Sequence, residues 1–178
     1  MKKLFLAVAI FTASITVTKA QFYIGGGLGF WINNHVTSFS ISPEAGYSFN
    51  NRWAVGLGVG LDATFRGDTW YTNANGSVAK LPRKSIYFYA EPYVRFNYFS
   101  AEKVNLFLDG VIGLSMGTGN ISGFQTIIRP GIAINLTKHF SLVGTFGAFG
   151  YRQDYRNRTN GFGLNLTNSL GFGFYYSF

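Results

Sequence analysis

Residues 162–178 carry the pattern that most restricts what this chain can become. Even positions read Phe162, Leu164, Leu166, Asn168, Leu170, Phe172, Phe174, Tyr176 and Phe178. Odd positions read Gly163, Asn165, Thr167, Ser169, Gly171, Gly173, Tyr175 and Ser177. Side chains alternate across a strand but recur about every 3.6 residues on a helix, so this period of two specifies a strand with one apolar and one small or polar face. The same reading holds upstream. Residues 104–116 place Val104, Leu106, Leu108, Ile112, Leu114 and Met116 opposite Asn105, Asp109, Gly113 and Ser115, with Phe107 and Val111 as exceptions on the second face. Residues 86–98 set Ile86, Phe88, Pro92, Val94, Phe96 and Tyr98 against Tyr87, Tyr89, Glu91, Tyr93, Arg95 and Asn97. Residues 124–136 alternate likewise, with Arg129 on the second face, as do 22–31, 39–49 and 53–65, where Glu44 and Asp62 lie opposite the apolar row. Residues 140–151 alternate least cleanly, because Val143 and Phe149 share a face with Ser141 and Thr145. Eight strands result.

The connections alternate in length. Residues 50–52, 101–103 and 137–139 are tight turns, whereas 32–38, 66–84, 117–123 and 152–161 are longer and polar. Short periplasmic turns and long outer loops describe a transmembrane barrel with both termini in the periplasm. Pro43, Pro92 and Pro130 each sit on the apolar face before a tight turn. Proline sacrifices a ladder hydrogen bond, so bulges or breaks are expected there.

Alternation alone also allows a soluble cup with its apolar face inside. The polar face decides. It is dominated by Gly, Ser, Thr, Asn and Tyr with isolated charges, and charged residues make up 12% of the chain while aromatic ones make up 19%. A soluble surface would need more, since roughly a quarter of residues are charged in ordinary globular domains. An eight-stranded interior is just wide enough for side chains to fill, so the bulky Leu, Phe and Ile belong outside. In hydrocarbon every backbone polar group must be paired, which strands achieve by closing. The expected fold is therefore all-β, an eight-stranded antiparallel up-and-down transmembrane β-barrel. Aromatic residues near the strand ends form two expected girdles, with Phe49, Trp53, Tyr98, Phe140, Tyr176 and Phe178 on the periplasmic side and Phe30, Phe39, Phe65, Phe124 and Phe162 on the outer side.

The chain begins with a different grammar. Lys2 and Lys3, the apolar stretch 4–17 and Thr18-Lys19-Ala20 form the charged start, apolar core and small-x-small cleavage site of a secretory signal. Residues 1–20 are thus expected to be removed, leaving 21–178 as the barrel domain. Cysteine is absent, which excludes disulfides, thiolate metal sites and an acylated N-terminal Cys.

The finish Gly171-Phe172-Gly173-Phe174-Tyr175-Tyr176-Ser177-Phe178 resembles that of the small OmpA/OmpX-like outer-membrane β-barrel family. The likeness extends over residues 21–178 as a pattern. The glycine-rich first strand and the Ala20-Gln21 junction further resemble members from the Bacteroidetes. The resemblance implies the outer membrane of a Gram-negative bacterium, porin-like or structural roles, and recognition of terminal Phe178 by the barrel-assembly machinery. Barrel patterns are shared by proteins with different functions, so it implies no single activity.

The candidate functional residues fall in two groups. Glu44, Asp62, Glu91, Arg95, Asp109 and Arg129 point into the lumen, where opposite charges can satisfy one another and a lone charge would cost several kcal/mol. A salt-bridged plug is expected, with a narrow channel for small solutes or ions as the alternative. Trp70, Tyr71, Lys80, Arg83, Lys84, Arg152, Tyr155, Arg156 and Arg158 gather in the second and fourth outer loops. They suit the phosphates of lipopolysaccharide or an extracellular partner in an adhesion-like role. Gly58-Val59-Gly60-Leu61-Asp62-Ala63 matches a dinucleotide fingerprint, but it lies within a strand instead of ahead of a helix, and its glycines are read as room for Tyr87, Tyr89 and Tyr93. Catalysis has one constellation available, His35 with Asp68 or Asp154 at the outer rim, a less favoured hydrolase reading. The chain is expected to be a monomer in lipid, non-enzymatic, without cofactor or metal, and without nucleic-acid partners.

Overall fold

A computed structural model describes residues 21–32, 36–67, 70–72, 76, 78–80, 84–118, 121–157, 160–165 and 171–178. The expected signal at 1–20, together with His35, Asp68, Arg83 and Arg158, lies outside the described residues. Alternation is realised as strands throughout: β1 (Gln21–Ile32), β2 (Val36–Ser48), β3 (Trp53–Arg66), β4 (Trp70–Thr72), β5 (Val78–Lys80), β6 (Lys84–Ser100), β7 (Val104–Gly117), β8 (Ile121–Asn135), β9 (Phe140–Thr145), β10 (Ala148–Gln153), β11 (Gly161–Asn165) and β12 (Gly171–Ser177). A short 3-10 turn, η1 (Tyr155–Asn157), stands between β10 and β11.

All pairings are antiparallel, and the wall runs β1, β2, β3, β6, β7, β8. Beyond β8 two strands share one edge: β10 pairs with Phe124 through Ile128 and β9 with Gly131 through Asn135. β9 and β10 are thus successive lengths of a seventh stave, and β12 and β11, paired to them, form the eighth. β12 returns to β1 through Tyr23↔Ser177 to Gly26↔Phe174. The result is a closed eight-stranded antiparallel β-barrel, its circuit joined among the described residues by the β9–β12 and β12–β1 ladders.

The apolar rows face outward, with Leu28, Phe30, Ile112, Leu114, Met116, Phe172 and Phe174 among the exposed side chains. The sequence exceptions Phe107 and Val111 are buried inside, at 0% and 1% exposure. Aromatic side chains gather at the end that carries the tight turns, where Phe22 meets Phe178, Tyr47 meets Phe49, Trp53 meets Phe96, and Tyr176 touches both Phe140 and Phe178.

Two sequence expectations need correcting. Residues 140–151 do not run in one phase. Val143 is buried while Phe149 is exposed, so they lie on opposite faces. The strand is interrupted at Phe146-Gly147, where Gly147 has φ +71, a left-handed conformation that glycine adopts without steric cost. This two-residue break resets the phase, and Phe146 and Phe149 both point outward. The outer connections are also more ordered than their polarity indicates. β1 and β2 stay paired out to Ile32↔Thr37, and the second loop contains a β4–β5 hairpin with Trp70↔Lys80 in register. Ladder hydrogen bonds need backbone groups and no particular side chain, so strands can extend past the apolar band.

The prolines mark gaps in the ladders. Pairing of β2 to β3 skips from Ile41↔Leu61 to Glu44↔Gly58 around Pro43, and pairing of β6 to β7 skips from Ala90↔Leu114 to Tyr93↔Val111 around Pro92. Register is unchanged across both. Pro130 stands where β8 changes partner from β10 to β9, and its carbonyl accepts from Phe146 N–H at 3.1 Å. Each gap falls where the imide nitrogen has no hydrogen to give.

Candidate functional site: the charged lumen

Inward alternation brings the six charged residues to adjacent staves. Arg95 on β6 lies opposite Asp109 on β7, and Asp109 opposite Arg129 on β8. Arg95 donates two parallel hydrogen bonds to Asp109, from Nε at 2.7 Å and Nη2 at 2.9 Å. This fork geometry is the strong form of a charged pair. Arg95 Nη2 also stands 3.7 Å from Glu44 Oε1, and Arg129 Nη2 stands 3.6 Å from Asp109 Oδ2. The Arg129 Nη1 group donates to Glu91 Oε2 at 3.2 Å. Glu91 in turn accepts from Gln125 Nε2 at 3.0 Å and from the Tyr155 hydroxyl at 2.7 Å. Asp62 pairs with Arg156. Glu44, Arg95, Asp109, Arg129 and Glu91 form one chain of alternating charge, and Asp62–Arg156 is a separate pair. This opposition makes buried charge tolerable, although Glu44 Oε1, Asp62 Oδ1, Arg129 Nε and Arg156 Nε accept or donate no hydrogen bond among the described residues.

Aromatic rings complete the middle layer. The Arg95 guanidinium lies 3.9 Å from the Phe107 ring centre, 5.2 Å from that of Tyr93 and 5.7 Å from that of Tyr175. A cation over an aromatic face is attracted by the ring quadrupole, more so once both are dry. In the neighbouring row Tyr23 on β1 and Tyr93 on β6 reach across Gly46 and Gly56 and join hydroxyls at 2.7 Å. A Cβ added at Gly46 or Gly56 would overlap those rings. Gly60 makes room for Tyr89 in the same way, whereas Gly58 stands between Glu44 and Glu91. The glycines therefore serve side-chain packing, and among the described residues Gly58 and Gly60 stand inside β3 with further strands after them, not ahead of a helix that could cradle a nucleotide.

The middle layer divides two cavities. One, of about 430 Å³, opens at the turn end and is lined by Arg95, Phe107, Asn97, Asn105 and Lys103. The other, of about 310 Å³, lies toward the loops and is lined by Glu44, Glu91, Arg129, Arg152, Tyr155 and Arg156. Tyr175 and Val143 line both, so the partition is one layer of side chains thick.

Among the loop candidates whose side chains are described, Lys84 on one hand and Arg152, Tyr155 and Arg156 on the other do not share a surface. Lys84 is exposed, with its ammonium 5.9 Å from the Phe65 ring centre. Trp70, Tyr71 and Lys80 belong to the β4–β5 hairpin. Arg152 turns back to the lumen, where its Nε donates to Gln125 Oε1 at 3.1 Å. Tyr155 is completely buried and Arg156 is held on Asp62, so neither is presented to an outside partner as the loop position leads one to expect. Sequence alternation could not find them, because they follow the end of β10. Gln125 and the three stacking rings were legible as inward positions but carried no sign of which charge they serve. His139 is at the turn end, its Nδ1 2.8 Å from the Ser177 carbonyl and its ring stacked on Tyr176. Asp154 pairs with Asn160. Among the described residues, no group of three or more His, Asp or Glu side chains is placed to hold a metal ion.

No protein-family model matches the sequence, and no curated protein does. Among solved structures the chain is similar to the Yersinia pestis outer membrane protein Ail, whose backbone structure was determined in a phospholipid bilayer nanodisc. The two share 16% identity over 90% of this chain and 100% of Ail, with a TM-score of 0.51. OmpT of Vibrio cholerae, an outer membrane protein folded in vitro, aligns at 11% identity over 90% of this chain and 62% of its own length, with a TM-score of 0.34, too low to compare architectures. The architecture is that of a small outer-membrane-type barrel. Neither likeness bears on the Bacteroidetes suggested by the first strand.

Proposed function

We propose that this chain is a non-enzymatic outer-membrane barrel whose lumen is plugged, with a structural or surface-interaction role carried by its loop end. One observation carries the reading: Arg95, forked on Asp109 of the adjacent stave, reaches over the lumen toward Glu44 on β2 at 3.7 Å and the Tyr175 ring on β12 at 5.7 Å, with Asp109 and Phe107 at zero exposure. Ions would have to displace the Arg95 side chain and the Tyr23–Tyr93 hydroxyl pair from this layer to pass. The outward apolar rows support a place in lipid, and the aromatic cluster at the turn end supports an interfacial girdle there. By analogy with such barrels the turn end is periplasmic, the loops are extracellular, and residues 1–20 are removed on export. Exposed Lys84 beside Phe65, and the β4–β5 hairpin that carries Trp70, Tyr71 and Lys80, form the face offered to lipopolysaccharide or an extracellular partner. Phe178, exposed and tied to Phe22 by its backbone N–H, is the residue offered to the assembly machinery.

Planar-bilayer recordings test the plug. The purified barrel is expected to give no steady conductance, and stable ion-selective openings would overturn the reading. Deleting residues 70–80 should lower binding to cells or matrix, whereas unchanged binding would leave a structural role alone. The narrow channel is the second reading, favoured by the two cavities that approach from either end to a partition one layer thick.

A further inference from the structure

The fourth loop places a tyrosine and an arginine inside the barrel, and the wall is cut to receive them. The Tyr155 hydroxyl donates to Glu91, Arg156 pairs with Asp62 and lies 4.1 Å from the Tyr89 ring centre, and the Arg156 backbone N–H donates to Ser115 Oγ at 3.2 Å. Two wall glycines leave the space. A Cβ on Gly113 would stand 2.9 Å from Tyr155 Cε2, and one on Gly123 would run into the backbone of Asp154. The turn itself is under strain, since Asp154 and Arg156 hold φ of 49° and 51°. Non-glycine residues keep such angles only where their surroundings over-determine them.

We propose that the wall carries a binding seat for a phenol–guanidinium pair, and that the chain fills it in cis with Tyr155 and Arg156 as a removable stopper over the loop-end cavity. The idea rests on the plugged reading and adds a second, detachable closure to the fixed Arg95–Asp109 layer. The seat and the stopper have opposite character: the seat is built from strands, while the stopper follows the end of β10 and is held by these four contacts and a strained backbone. Release of the turn exposes Glu91, Asp62 and the cavity to the outer solution without breaching the barrel.

The chain has no cysteine, so a single Ser42→Cys thiol in the cavity wall reports access. A charged methanethiosulfonate is added from the loop side to the folded barrel in lipid vesicles. Labelling is expected to be slow in this background and at least tenfold faster when Asp62→Asn is added. Gly123→Ala, which displaces the turn without touching a charge, should accelerate it as well. Tyr155→Phe should act in the same direction and less strongly. A charge exchange, Asp62→Arg with Arg156→Asp, should recover slow labelling relative to either single change. Heat-modifiable migration on gels confirms that each variant is folded, and an unfolded variant is replaced by Tyr155→Phe. Equal rates in all folded variants overturn the stopper. Bilayer recordings on the same proteins keep the two ideas apart: silence with unchanged labelling removes the stopper and leaves the plug, while conductance in the unaltered chain removes the plug.

Discussion

The two sides of the barrel are built differently. From β1 to β8 the ladders run nearly the full height of the wall, as between β7 and β8, which pair from Val104↔Ile134 to Gly117↔Ile121. The returning side is assembled from short pieces. β9 and β10 divide one edge of β8 between them, and closure rests on Tyr23 to Gly26 against Phe174 to Ser177 among the described residues. The long side supplies most of the buried network: Glu44, Asp62, Glu91, Arg95, Asp109 and Arg129 all come from β2, β3, β6, β7 and β8. The broken side supplies the strained turn and the residues that dip into the lumen from a loop. A continuous ladder fixes inward positions by register alone, whereas an interrupted strand must place its side chains by turns and positive φ.

The contrast can be broken or sharpened experimentally. The largest effect is expected from Asp109→Ala, which leaves Arg95 buried without its fork partner and should cost about 3–5 kcal/mol, read from urea unfolding of the barrel in vesicles. An effect below about 1 kcal/mol would mean that water reaches the layer, and the long side would lose its claim to rigidity. Next, Gly56→Leu should overpack the Tyr93 ring and cost about 1–3 kcal/mol, with part of it recovered when Tyr93→Ala is added. Gly147→Ala tests the other side. Forcing a Cβ into positive φ should cost about 1 kcal/mol, and a neutral result would show that the break tolerates any residue. Of similar or smaller size is Tyr23→Phe, which strands the Tyr93 hydroxyl and should cost about 1 kcal/mol. Amide exchange then compares the sides directly: β7 and β8 should outlast β9 and β12, and equal protection would erase the distinction.

Strand alternation made the barrel readable because a period of two assigns every residue a face once one face is known to be apolar. It assigned Glu91 and Arg95 to the lumen, and the structure places them there, Arg95 with its partner on the neighbouring β7 and Glu91 with Gln125 on β8, one stave further round. Alternation fails where the chain leaves a strand. At Phe146-Gly147 a break shifted the phase, so Val143 and Phe149 separated although their spacing put them together. At Tyr155 and Arg156 a basic aromatic loop turned inward because Glu91 and Asp62 attract it, an interaction between residues far apart in sequence and invisible to local pattern. The second and fourth loops looked alike in composition, and only three-dimensional placement distinguishes an exposed Lys84 from a seated Arg156.

The tyrosines that lie across glycines bear on assembly as well as packing. Tyr93 stands level with Gly56, and Gly56 with Gly46 and Tyr23. Sliding β6 by one residue against β3 would carry the ring to the level of Val55 or Leu57, and the whole row would turn its faces inside out. A two-residue slide would keep the faces but bring Tyr93 level with Gly58 or Ala54, separating it from the hydroxyl of Tyr23. The row thus works as a key cut for one slot. A slide toward Ala54 would meet a methyl group, and one toward Gly58 would forfeit the hydroxyl pair.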